Sequence, residues 1–171
     1  RELDSSTVIS VAAAFGLRRF TIDEAVRLAR VVVVADPIEP IGLLFGSVGC
    51  EEGRATVVDA SSGSSDSPGE LQLLRAALPG VPVYRAFNTL TWGDYVDPDY
   101  GGARPDVFYA GPDDDPRDAV EGIIGVLGLR PVYVGGYEQI DLIDSLAALR
   151  TAVAARRPGR DVAVKLLERD A

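Results

Sequence analysis

A strand-like run, "VPVYRAF" at 81–87, stops at two polar residues, Asn88 and Thr89, without a Gly or Pro to turn the chain. A carboxamide and a hydroxyl at the carboxyl end of a strand can hydrogen-bond a flat polar ligand such as another carboxamide. The same Asn can instead cap a following helix by satisfying its free N–H groups, and the two roles are compatible. Asp36-Pro37 follows a second strand-like run, "VVVVA". Proline holds the residue before it extended, which either presses a carbonyl toward a ligand or forms a plain capped turn. Ser61, Ser62 and Gly63 follow a third run and open the serine-rich stretch "DASSGSSDSPGE". That stretch can wrap an anion or serve as a surface loop.

Other chemistries lack their residues. The chain has no His, which removes His-based triads and most zinc sites. Cys50 is the single cysteine; it cannot form an internal disulfide, in keeping with a reducing cytoplasm, and without a His to activate it reads as a packed thiol. "DDDP" at 113–116 reads as a helix N-terminal cap and nothing more, because three adjacent acids point in different directions and make a poor metal site. Trp92 and Tyr95 either face a ligand or fill core. With 17 basic and 26 acidic residues the net charge is −9, which argues against non-specific binding to nucleic acid or anionic membranes. No apolar stretch reaches the ~18 residues of a membrane span, and no signal peptide is apparent. A phosphate-bearing cofactor stays open, since such sites use backbone N–H groups and one or two Arg.

The elements that must position these residues alternate. Helices are expected at 6–16, stopped by Gly16 in the left-handed cap position, and at 21–30, opened by a Thr21/Glu24 capping box. The uninterrupted β-branched run at 31–36 predicts a strand buried on both faces of a parallel sheet. A strand at 54–60, a helix opened by Ser67-Pro68-Gly69-Glu70 with Leu71, Leu74, Ala77 and Leu78 inward, and the strand at 81–87 follow. Next come a helical stretch around 90–95, a strand at 106–111, a helix ending at Gly128 and a strand at 130–135. The longest helix lies within 138–157, with Leu142, Leu146, Leu149 and Val153 as its apolar face. Strand and helix in alternation predict a single α/β domain over 1–171, a doubly wound parallel sheet of Rossmann-like type. Ligands of such sheets lie beyond the carboxyl ends of the strands, at Asp36-Pro37, Ser61-Ser62-Gly63, Asn88-Thr89 and Gly111-Pro112.

The ordered set "VVVVADP", "VVDASSG", "VYRAFNTL", "DVFYAG", "LRPVYVG" and "GRDVAVKLLER" resembles the NADP-binding oxidoreductases typified by the deazaflavin-dependent NADP reductases. "AFNT" at 86–89 and "VKLLER" at 164–169 are the most specific parts of that likeness. The family opens with a strand, a glycine-rich turn, a helix and a second strand, a unit of ~30 residues or more. These 171 residues hold no G-x-G-x-x-G at any strand-to-helix junction; "GLLFGSVG" has the wrong spacing. The resemblance therefore sets Arg1 just after that opening unit, which is expected to be missing here.

The likeness implies an NADP cofactor and hydride transfer to or from a flat acceptor such as a deazaflavin. It implies that Arg1 meets the 2′-phosphate, and that Ala35, Asp36 and Pro37 lie beside the nicotinamide ribose. Ser61, Ser62 and Gly63 take the place of the family's T/N-N-P, and Asn88 and Thr89 sit near the nicotinamide. Asp36 stands where the family has an apolar residue. The long last helix suggests a homodimer, as in the family. The alternative is a non-redox relative that keeps the sheet as a binding or partner subunit, or that runs another reaction in the same crevice.

Overall fold

A computed structural model describes residues 28–35, 55–61 and 70–169, apart from the side chains of Glu70, Leu73 and Ala77. The expected helices at 6–16 and 21–30, including Gly16 and the Thr21/Glu24 box, lie essentially outside the described residues, as do Ser67-Pro68-Gly69 and Cys50.

Strand β1 (Val31–Val34), β2 (Thr56–Asp59), helix α1 (Glu70–Ala77), β3 (Val83–Arg85), α2 (Trp92–Val96), β4 (Asp106–Ala110), α3 (Arg117–Val126), β5 (Arg130–Gly135), a short 3₁₀ turn (Tyr137–Gln139) and α4 (Ile140–Ala155) follow in order. The five strands form one sheet in the order β1-β2-β3-β4-β5. The period-2 alternation of a strand divides the apolar residues between two faces. Val57 and Val83 pack with Leu74 of α1 and with Leu78 just past its end. Val58, Tyr84, Val107 and Tyr109 turn the other way and meet Val120 and Ile124 of α3. Helix α4 joins the α1 side, where Ile140 and Ile143 cover Ala110 and share Leu71 as a neighbour. The result is an α/β/α sandwich, as expected from the alternation of elements.

Three details depart from the sequence reading. First, the sheet is not wholly parallel: β1–β2, β2–β3 and β4–β5 are parallel, but β3 and β4 are antiparallel through the pair Arg85–Ala110. A parallel return needs a crossover that travels back along the sheet, usually on a helix. Residues 86–105 carry only the five-residue α2, so the chain turns at the edge it has reached and β4 runs back down. Gly111-Pro112 therefore leaves the sheet at the edge opposite Asn88, and drops out of the set of strand ends that can share a ligand.

Second, β1 is the outermost strand of the described sheet, and Val33 is 47% exposed, so the unbroken Val run does not mark burial on both faces. Third, Leu142 and Leu149 of α4 face outward, and Ile140 and Ile143 provide the buried contact. The heptad-like leucine spacing is a genuine stripe on the helix, but not the stripe the sheet covers. Among the described residues no helix is long and apolar enough to cross a membrane.

Two glycines hold positions no other residue fills as well. Gly128 ends α3 at φ +72°, in the left-handed region. At Gly111 a Cβ would stand 2.4 Å from the Tyr84 ring. That ring is held in place, because its hydroxyl donates to Asp114 Oδ1 at 2.6 Å and lies 2.9 Å from Pro112 O, which shares the proton. The "DDDP" acids thus act as tethers and not as the expected helix cap. Asp114 anchors Tyr84, Asp113 pairs with Arg117, and α3 has no side-chain cap bond at its N-terminus. Burial, followed by the Asp114 hydrogen bond, pushes the Tyr84 phenol far above its ordinary range, so it stays a donor at any physiological pH. Gly111→Ala is expected to overpack this contact and lower stability by about 1–3 kcal/mol, measured as a shifted urea midpoint, with Tyr84→Leu in the same background recovering part of the loss.

Candidate functional site

The carboxyl ends of β1, β2 and β3 point to one edge because those three strands are parallel. Backbone pairing carries the strands to that edge: Ala60 N donates to Val34 O at 2.8 Å and Ala86 N to Asp59 O at 3.1 Å. Ala35, Ser61, Asn88 and Thr89 lie there. Asp36, Pro37, Ser62, Gly63 and Arg1 lie outside the described residues.

A buried guanidinium organises this edge. Arg85, 4% exposed, ends β3. Its Nη1 meets Asp59 Oδ2 at 3.1 Å, and its Nη2 and Nε meet Asp144 Oδ1 of α4 at 2.8 and 2.9 Å. Ser61 closes the first carboxylate: its N–H and hydroxyl both donate to Asp59 Oδ1, at 3.0 and 2.6 Å, and its Oγ accepts from Arg85 Nη1 at 3.2 Å. Ser61 is therefore at the expected place, but its hydroxyl is turned inward onto the ion pair. One cation against two carboxylates satisfies nearly every donor of the guanidinium fork.

The chain then leaves β3 through Phe87, which takes φ +68°. The left-handed region is uncommon for a bulky side chain and costs energy. Packing holds it there: the Phe87 ring is buried edge-on against Tyr95 at 5.9 Å, and the Tyr95 hydroxyl donates to Phe87 O at 2.6 Å. This residue does the turning that a Gly or Pro would ordinarily do, and it sets the direction of Asn88 and Thr89.

Asn88 is not a helix cap. The N-cap of α2 is Thr91, whose N–H and hydroxyl both donate to Asp94 Oδ2, at 2.5 and 2.8 Å; Tyr100 holds the other oxygen of Asp94. Six residues, 86–91, separate β3 from α2, and Asn88 falls three positions before the cap at Thr91. It reaches sideways instead, donating Nδ2 to Asp144 Oδ1 at 2.8 Å. Its Oδ1 and the Thr89 Oγ1 are both buried without a hydrogen-bond partner. Such groups are rare in native structures and call for an explanation. Trp92, 81% exposed, neither fills core nor touches this edge through burial, whereas Tyr95 is packing. Sequence reasoning missed Arg85, Asp144, Phe87 and Asp59. Only the "D…R" pair at the ends of adjacent strands could have signalled two of them.

The segment containing "VKLLER" runs without regular structure beside the start of β4, which reaches past the carboxyl end of β3 because the antiparallel pair joins the last residues of the two strands, Arg85 and Ala110. Asp106, fully buried, is its clasp. Its carboxylate takes a two-pronged contact from Arg130, Nε at 3.0 Å and Nη2 at 2.7 Å, the N–H of Leu166 at 2.7 Å and Lys165 Nζ at 3.3 Å. The Asp106 N–H donates to Val164 O at 3.1 Å. Ala163 adds an apolar contact to the cluster holding Phe87, Leu90 and Tyr95. Burial works to raise the Asp106 carboxyl, but the bonds from Arg130, Leu166 and Lys165 together outweigh it and hold it below the usual carboxylate range.

No protein-family model matches the chain, and no curated protein matches it in sequence. Solved structures do. A hypothetical protein from Sinorhizobium meliloti is 29% identical, with 96% of this chain and 80% of that one covered and a TM-score of 0.66. A "putative f420 dependent nadp-reductase" from an Arthrobacter species superposes at TM-score 0.73 with 17% identity over 89% of this chain and 76% of that one. A pyrroline-5-carboxylate reductase from Coxiella burnetii gives 0.53, 17%, 94% and 60% in the same terms. The chain therefore has the Rossmann-like α/β fold that these proteins share.

Two outcomes follow from the ionic contacts. Removing Arg85 (Arg85→Met) leaves Asp59 buried beside no cation, and a loss of about 3–5 kcal/mol in chemical denaturation is expected. For Asp106, a depressed carboxyl stabilises the fold above its unfolded value of about 3.9, and that contribution disappears as pH falls below this value through the folded one. Protection of the Leu166 amide, measured as its exchange rate relative to the intrinsic rate at each pH, should fall on acidification below about pH 4, and Asp106→Asn should remove that pH dependence.

Proposed function

We propose that the protein is an NADP(H)-dependent oxidoreductase that passes a hydride between the nicotinamide and a flat acceptor such as a deazaflavin. The observation that carries this reading is the pair of unpartnered polar atoms, Asn88 Oδ1 and Thr89 Oγ1, just past the carboxyl end of β3, which runs parallel to β2. That is where a doubly wound sheet binds its ligand. The fold shared with a putative NADP-reductase and a pyrroline-5-carboxylate reductase supports it, as does the "AFNT" likeness.

An acceptor and a hydroxyl side by side suit the carboxamide of a nicotinamide. In this reading Asn88 and Thr89 hold that end, and Ala35 and the backbone at Ser61 border it. Asp36, Pro37, Ser62, Gly63 and Arg1 contribute along the rest of the cofactor. The bound cofactor supplies the hydride chemistry; the chain's own task is to bind, orient and exclude water. No side-chain nucleophile is required, so the absence of His is compatible with it.

Calorimetric titration of the intact protein with NADPH is the test. Saturable binding is expected, weakened about tenfold or more in Asn88→Ala, the scale of one hydrogen bond to a buried group. No binding would overturn the proposal. Binding without hydride transfer to any deazaflavin or flavin acceptor would favour the non-redox alternative.

A further inference from the structure

We infer that Asp144 is a positioning residue: it fixes which end of the Asn88 amide is left buried and unpartnered, and so makes the site select a ligand with an N–H donor at that point, a carboxamide over a ketone. The inference deepens the NADP(H) reading and rests on it.

A side-chain amide has a donor end and an acceptor end of nearly the same shape, and the surrounding hydrogen bonds decide between them. At Asn88 the decision is one-sided. Asp144 Oδ1, 2.8 Å from Asn88 Nδ2, belongs to an ionised carboxylate paired with Arg85, and such an oxygen only accepts. Turning the amide over would set two oxygens against each other at that distance and give up a charge-assisted bond.

Asp144 cannot move aside to allow it. Its side chain is 48% exposed, but the same Oδ1 is gripped by Arg85 Nη2 at 2.8 Å and Nε at 2.9 Å. Arg85 is held in turn from the opposite side by Asp59 and Ser61. The chain of constraint therefore runs from the end of β2 through Arg85 and Asp144 to the Asn88 amide. It leaves Asn88 Oδ1 pointing away from Asp144, buried and without a partner, as is the hydroxyl of the following residue, Thr89.

An orphaned acceptor discriminates by what it lacks. A ligand N–H relieves it, whereas a methyl in the same place leaves it desolvated and unpaired, and sites of this kind reject the analogue that lacks the donor. In Asp144→Asn the new amide can either donate or accept, so Asn88 is free to turn and the preference should fade.

The experiment compares binding of three probes to the intact protein by calorimetry. They are NADP+, its 3-acetylpyridine analogue, in which a methyl replaces the carboxamide NH2, and 2′-phospho-ADP-ribose, which has no nicotinamide. The wild type should bind NADP+ at least about tenfold tighter than the analogue. The ratio should fall to within about twofold in Asp144→Asn and in Asn88→Leu, which removes the acceptor and leaves the Arg85–Asp144 pair in place. Affinity for the nicotinamide-free probe should be the same in all three proteins. That last comparison separates amide positioning from a general loosening of the fold. Equal binding of NADP+ and the analogue by the wild type overturns the inference alone and needs no variant to fold. An undiminished ratio in both variants does the same. No binding of any probe overturns the NADP(H) reading and the inference with it.

Discussion

The buried guanidinium of Arg85 is the constraint on which this edge of the molecule depends. Taking the Arg85 cation and the Asp59 carboxylate out of water is costly, and a buried ion pair often adds little net stability over an apolar replacement. Its consequence is specificity of arrangement. With Arg85 between Asp59 and Asp144, the end of β2, the end of β3 and helix α4 must meet in one geometry. Any other packing leaves a charge unpaired, at a penalty of several kcal/mol, roughly 3–5 when one partner is lost. Ser61 and Asn88 complete the lone pairs of the two carboxylates, which is the condition for such a network to be tolerated at all.

The backbone beside it is under tension of a different kind. Phe87 sits at positive φ directly between the ion pair and Asn88. Strained residues persist where surrounding contacts over-determine them, and they cluster at functional sites. Here the contacts are the Tyr95 ring and hydroxyl. The Asn88-Thr89 step is thus held from behind by Arg85 and Asp144, and from the side by an aromatic pair. A strand that ends in Asn-Thr without Gly or Pro is explained by this: the turn is enforced by tertiary packing, not by local turn chemistry.

The antiparallel return of β4 brings a further element to the same edge. Because β4 is antiparallel and its last residue, Ala110, pairs with Arg85 at the end of β3, its start at Asp106 and the chain clasped there at Val164 to Leu166 lie beyond the carboxyl end of β3. The clasp joins the last described stretch of the chain to the strand that follows the Asn88 loop. It also gives "VKLLER" a physical role: Lys165 and the Leu166 N–H both serve a buried carboxylate, whereas Leu167 is 84% exposed.

The sequence by itself determined the layers. β-branched runs with Gly, Pro and Ser between them yield strands at nearly the expected places, because local periodicity and breakers act over a few residues. Gly128 ended its helix for the same local reason. It also marked Ser61, Asn88 and Thr89 as the ends of neighbouring strands. What those residues touch was decided only in three dimensions. Asn88 lost the cap to Thr91 because Phe87 redirects the chain. Leu142 and Leu149 of α4 lost the core to Ile140 and Ile143 because the sheet meets a different face of the helix, leaving Leu146 and Val153 only half-buried. The direction of β4 followed from the lack of a crossover helix after β3. Asp144, nearly 60 residues from Asn88 and Arg85 in sequence, has no local signal at all. A charge pair across that separation exists only once the sheet has formed, since its energy depends on burial and on distances of about 3 Å that no spacing in the chain encodes.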